Sequence, residues 1–164
     1  MTERLDLNYL KYLTLCPISF WLGVMGFFSF VAAPALFTTL DRERAGGVVA
    51  VVLPRYYLFG ISMGLLALAG VLGRAALKRG REVRWETLVL TLLMLALTAY
   101  ALLVLLPQAE SARLAMKSMP PVTGMVTEAA LAFGRAHRLA VILNLLTMLA
   151  GLVVIFAEGL RPRP

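Results

Sequence analysis

His137 and Asn144 stand seven positions apart in FGRAHRLAVILN, residues 133–144, and His137 is the only histidine in the chain. With Val141 they hold positions i, i+4 and i+7, which a helix sets along one side. Seven residues rise about 10 Å. The pattern therefore predicts an imidazole that switches charge near neutral pH, placed above a carboxamide that both donates and accepts hydrogen bonds. Such a pair suits recognition of a small polar or ionic species. The same residues also read as interhelical hydrogen bonding, because an amide within an apolar run must find a partner inside the bundle.

Other polar groups can join this pair only where helix ends meet. In an up-down bundle, one end gathers Arg55, Tyr56, Gln108, Glu110, Arg113, His137 and Arg138. Glu110 and Arg113, at i and i+3, are spaced to pair. Arg135 and Arg138 either reach for lipid phosphates or face inward and make the vestibule basic. The expected ligand-binding set is His137, Asn144, Arg55, Tyr56, Glu110 and Arg113. Asn144 would orient the ligand and Arg55 would attract charge.

The elements that must carry these residues are membrane helices. The chain has 164 residues, 60% of them apolar and 15% charged, against about 25% charged in soluble domains. Four uncharged runs, about 13–40, 56–73, 87–109 and 139–157, are long enough to cross about 30 Å of hydrocarbon. The expected fold is all-α: one integral membrane four-helix bundle spanning 1–164, with helices kinked at prolines. The net charge of +7 fits juxtamembrane anchors rather than nucleic acid. Ala33-Pro34-Ala35 mimics a signal cleavage site, but the apolar run before it is too long and acids precede it.

Arg74, Lys78, Arg79, Arg81 and Arg84 in the 74–86 connection, with Arg4, Lys11, Arg161 and Arg163 near the termini, outnumber the basic residues at the opposite end. Both termini are therefore expected to be cytoplasmic, in a bacterial inner membrane. Asp41 reads as an N-cap. Pro54 is expected to break the second helix, Pro34 to bend the end of the first, and Pro107 to end or kink the third. QAESARLAMKSM continues as helix until Pro120-Pro121, and the last helix runs from about Thr127 to Glu158, with Gly159 and Pro162 as stops. Helices three and four would then project beyond the bilayer.

GISMG, with Gly60 and Gly64, forms a small-residue groove that either packs inside the bundle or joins two copies in a homo-oligomer. Ser19/Gly23 and Ser29/Ala33 of the first span are the expected facing surface.

Familiar catalysis finds little support. A lone histidine rules out bis-histidine haem, Ser111 and Glu110 form no triad with His137, and no phosphate loop follows a strand. Cys16 is the only cysteine, so neither an intrachain disulfide nor a cysteine zinc site is expected. The spans contain no acids, which argues against a carboxylate proton relay. No cofactor can be named from the residues.

GFFSFVAAPALFTTLDRERAGGVVAVVLPRYYLFGISMG resembles the first half of the transmembrane-protein-205-like family, also called domain of unknown function 4149. The resemblance rests on Pro34–Phe37, Gly46 or Gly47, the Leu53-Pro54 step, the tyrosines after it and Gly64. Further on it rests on Pro107 and on Phe133, His137 and Asn144. It covers nearly the whole chain, and Arg55 departs from a more aromatic step elsewhere. It implies a small four-span membrane protein of unsettled activity, with eukaryotic members linked to platinum-drug resistance. More distantly, the chain is similar to four-span copper-resistance and protoporphyrinogen-oxidising proteins, whose histidines hold metal or haem. The leading expectation is a protein that binds or passes a small polar or ionic species through an outer-facing vestibule. The rival readings are a haem- or metal-binding membrane oxidoreductase and a structural subunit of a larger membrane complex.

Overall fold

A computed structural model describes residues 2–77, 85–118 and 127–159, with side chains from residue 9 onward. The described residues are helical almost throughout. Helix α1 (Thr2–Phe27) passes through a π-helical turn (Phe28–Ala32) into α2 (Ala33–Thr39), followed by α3 (Arg42–Leu77). Helix α4 (Trp85–Tyr100) passes through a second π turn (Ala101–Leu105) into α5 (Leu106–Ser118), followed by α6 (Glu128–Gly159). The units Tyr9–Thr39, Arg42–Leu77, Trp85–Ser118 and Glu128–Gly159 are each long and apolar enough to cross a membrane.

The units form a four-helix ring in which α1 packs on α3 and α6, and α4 packs on the same two helices from the opposite corner. Inward positions follow a seven-residue rhythm. On α4 they are Thr87, Thr91, Met94 and Thr98; on α6 they include Thr147, Gly151, Val154 and Glu158. This alternation of three and four is the seam of nearly parallel helices. The 36 residues of α3 extend to about 54 Å, well beyond the hydrocarbon layer. The start of α3 lies at the end of the bundle opposite the N-terminus. There Lys117 Nζ meets Glu43 Oε1 at 2.7 Å, tying α5 to the start of α3.

The expected cap at Asp41 is present, and Thr127 caps the last helix as well. Arg44 N–H donates to Asp41 Oδ1 at 2.9 Å, and Ala130 N–H to Thr127 Oγ1 at 3.3 Å. Pro120-Pro121, Pro162 and the basic residues Lys78, Arg79, Arg81, Arg84, Arg161 and Arg163 fall outside the described residues.

At one proline the structure departs from expectation. Pro54 does not break its helix: α3 runs unbroken from Arg42 to Leu77. Arg55 Nη1 donates to the Val51 carbonyl at 2.6 Å, next to the place where proline removes a backbone donor. Nearby polar groups can satisfy a backbone interrupted in this way. Of the two outcomes expected at Pro107, an end or a kink, the end does not occur, since helix continues to Ser118. Both Pro34 and Pro107 follow π turns, closed by Ala33 N–H to the Phe28 carbonyl and Leu106 N–H to the Ala101 carbonyl. The extra residue in each turn accommodates a ring that would otherwise clash with the carbonyl four residues back.

The Gly60–Gly64 groove packs within the chain. A Cβ on Gly60 would lie 2.6 Å from Trp21 Nε1, and one on Gly64 2.5 Å from Leu95 Cδ2. Trp21 therefore covers the groove, which leaves no room there for a second copy. The expected facing surface is also corrected: Ser19 and Gly23 are exposed, and Ser29 bonds to α6 instead. A bulky aromatic in a glycine groove buries more apolar surface than two small faces would.

The closest approach to another helix's backbone occurs at Gly70, where a Cβ would stand 2.8 Å from Thr14 N and 2.9 Å from the Leu10 carbonyl. These are backbone atoms, so they cannot move aside as a side chain would. Gly70→Ala is expected to destabilise by about 1–3 kcal/mol through overpacking. Gly23→Ala, with open space around it, should be neutral. Thermal unfolding of the two variants in detergent would check the contrast.

Candidate functional site

Two polar layers cross the bundle. The first gathers residues from three helices. Tyr56 O–H donates to Asn144 Oδ1 at 2.5 Å, and Asn144 Nδ2 donates to Ser29 Oγ at 3.1 Å. Ser29 sits in the π turn before Pro34, so the irregular turn supplies the hydroxyl that completes this relay. Phe28 packs on the Tyr56 ring, with centroids 5.1 Å apart, and Tyr57 meets the same ring edge-on.

A small cavity adjoins the relay, with about 10 Å³ open to the centre of a water molecule, roughly the room one water needs. Its polar lining comes from Trp21, Tyr56, Tyr57, Thr98, Asn144 and Thr147, with no charged side chain. Thr98 and Thr147 donate to the Met94 and Leu143 carbonyls, which leaves their oxygen lone pairs as acceptors. Among the described residues, the Tyr57 hydroxyl and the Trp21 indole N–H make no hydrogen bond. Both residues are buried. The lining thus supplies spare donors and spare acceptors together.

The second layer lies about 21 Å further along α6, fourteen residues from Asn144. Glu158 is only 3% exposed. Its carboxylate accepts from Arg74 Nη1 at 2.8 Å, Arg74 Nη2 at 3.3 Å and Thr87 Oγ1 at 2.8 Å. Arg74 Nη2 also donates to Thr14 Oγ1 at 3.3 Å, while Arg74 Nε is buried without a partner. Four helices meet in this cluster. A charge in the low dielectric of a bundle is held only by such pairing.

The six residues expected to form one site divide into three groups. Tyr56 and Asn144 are joined directly. Glu110 and Arg113 form the expected pair, with Arg113 Nε and Nη2 bonded to the two carboxylate oxygens at 2.8 and 2.7 Å. Arg55 and His137 are exposed, Arg55 on the Val51 carbonyl and His137 stacked 6.3 Å from the Phe133 ring on its own helix. The inward line of α6 passes through Ala136 and Thr147, with Ala140 and Leu143 packed against the core. Positions 137 and 144 flank that line. Ser29 and Tyr56 stand beside position 144 and draw the amide inward, whereas the ring that His137 meets belongs to its own helix. Cys16 is exposed.

The Arg74–Glu158 cluster was not anticipated. By sequence Arg74 falls in the 74–86 connection, and Glu158 lies one residue beyond the apolar run. The available signal was periodicity: Arg74 extends the inward line Gly60, Gly64, Ala67 and Gly70, and Glu158 extends Thr147, Ala150 and Val154. Among the described residues, no three His, Cys, Asp or Glu side chains gather where they could share a metal ion.

Four apolar helices around an interior of paired polar groups define an integral membrane helix-bundle protein. Residues 17–118 match the family described as domain of unknown function (DUF4149), and the chain belongs to that family. It is also 47% identical over 62 residues to an "Uncharacterized protein" of Aquifex aeolicus (strain VF5), a match covering 38% of this chain and 46% of that protein. No solved structure matches the chain.

Proposed function

We propose that the protein binds a small polar species in the chamber beside Tyr56 and Asn144 and passes it across the membrane. The observation that carries this reading is the chamber itself. Spare donors and acceptors line one small cavity in a bundle surrounded by hydrocarbon. Arg55, Glu110, Arg113 and His137 lie towards the end opposite the N-terminus, the outer end in this reading, and form the approach to the chamber. His137 acts there from the rim, as a switchable hydrogen-bonding group. The orientation assumed is both termini cytoplasmic, in a bacterial inner membrane. A transmembrane-protein-205-like assignment within the family belongs to the same reading and rests on Phe133, His137 and Asn144, beyond the matched residues.

The test is permeation in proteoliposomes, followed by stopped-flow light scattering with water, glycerol, urea and ammonia as probes. Wild type should exceed protein-free vesicles for at least one probe, and Asn144→Leu should remove the excess. Wild-type permeation equal to that of protein-free vesicles for every probe would reject the proposal. His137→Ala tests the approach: it should lower the rate without abolishing it, because the imidazole lies outside the chamber.

A further inference from the structure

The two polar layers are separated by an apolar waist, and the waist has a seat cut into it. On α4 the inward positions read Thr87, Thr91, Met94, Thr98, so Met94 interrupts a threonine stripe. On α6, Gly151 lies between Thr147 and Glu158. A Cβ on Gly151 would stand 3.0 Å from Met94 Cε and 2.9 Å from Leu22 Cδ2. The methionine tip therefore rests where a larger residue at 151 would put its side chain. Ile18, Met94 and Val154 are fully buried and close the waist. About 6 Å of helix separates Met94 from Thr98 on one side, and about 5 Å separates it from Thr91 on the other.

We propose that Met94, seated on Gly151, is the gate between the two polar layers, and that the route it closes carries uncharged, hydrogen-bonding molecules of about water size. This rests on the permeation reading above. Methionine is unbranched, with freely rotating bonds, so it can leave a glycine seat without moving a helix. A short apolar constriction closes a polar path by excluding water, and needs no bulky plug. The selectivity follows from the lining. No charged side chain borders the chamber, and Arg74 and Glu158 in the other layer are held in an ion pair. An ion at the waist would lose its hydration with nothing to replace it. A molecule that both donates and accepts can exchange bonds with Tyr57, Thr98 and Thr147 instead.

The experiment uses the full chain in proteoliposomes, with osmotic water permeability and potassium flux as readouts. Met94→Ala and Met94→Thr should raise water permeability severalfold above wild type, with potassium flux at the protein-free level. Met94→Leu keeps the volume but is branched and stiffer, so it should lower permeability below wild type. That variant conserves packing and keeps the test informative if the smaller residues impair folding. Water permeability unchanged in monodisperse Met94 variants would overturn the gate while leaving Asn144-dependent permeation standing. Potassium flux in Met94→Thr would overturn the uncharged cargo. A Met94→Ala leak that persists with Asn144→Leu would place the path outside the chamber, and would reject the permeation reading along with the gate.

Discussion

Arg74→Met alone should destabilise the protein by about 3–5 kcal/mol, and Glu158→Leu alone by a similar amount. The double variant Arg74→Met/Glu158→Leu should recover most of that loss. The asymmetry arises because each single change takes the main counter-charge from a charge that stays largely buried. Glu158 is 3% exposed and accepts two bonds from Arg74 and one from Thr87. Without the guanidinium, the carboxylate keeps the Thr87 hydroxyl but loses its counter-charge on α3. Removing both partners replaces the desolvated pair with apolar side chains at the bilayer boundary. Denaturant unfolding of the three variants in one detergent measures the cycle. Single variants as stable as wild type would mean that water reaches the pair.

Asn144→Leu should have the largest effect on function, returning permeation to the protein-free level. It removes the group that links three helices: the Tyr56 hydroxyl loses its acceptor and Ser29 loses its donor. The branched apolar chain would also crowd a cavity that has room for about one water. Tyr56→Phe separates the two contributions, because it leaves the amide bonded to Ser29 and keeps the ring against Phe28. A double-mutant cycle between Tyr56→Phe and Asn144→Leu should give a coupling of about 0.6–2 kcal/mol, the range for hydrogen bonds between membrane helices. Full permeation in Asn144→Leu would separate the relay from transport.

The relay was only partly legible in advance. Asn144 is an amide in an apolar helix, and that alone required an inward partner. Tyr56 follows Pro54 near a helix end, a position that suits an aromatic belt as well as a bond to the last helix. Ser29 looked like one half of a small-residue pair. Its actual role depends on the π turn, which shifts the residues after Phe28 around the helix axis, and no residue type in that run announces the turn. The setting of His137 was hard to read for a related reason. Its spacing to Asn144 is right for one side of a helix, but whether that side faces a neighbour depends on which helices stand beside it.

The amino-acid order by itself determined that this chain makes four apolar helices, with Asp41 and Thr127 capping two of them. Hydrocarbon leaves backbone groups no other partners, and these constraints act within a few residues. It also determined the inward stripes, because a seven-residue repeat of small and polar residues runs through α3, α4 and α6. Only the tertiary arrangement decided which stripe meets which. It joined Arg74 to Glu158 across 84 positions and Tyr56 to Asn144 across 88. It also set Met94 on Gly151 and laid Trp21 across Gly60. Those pairings come from the order of helices around the ring and their relative depth, which are set by the packing of all four together.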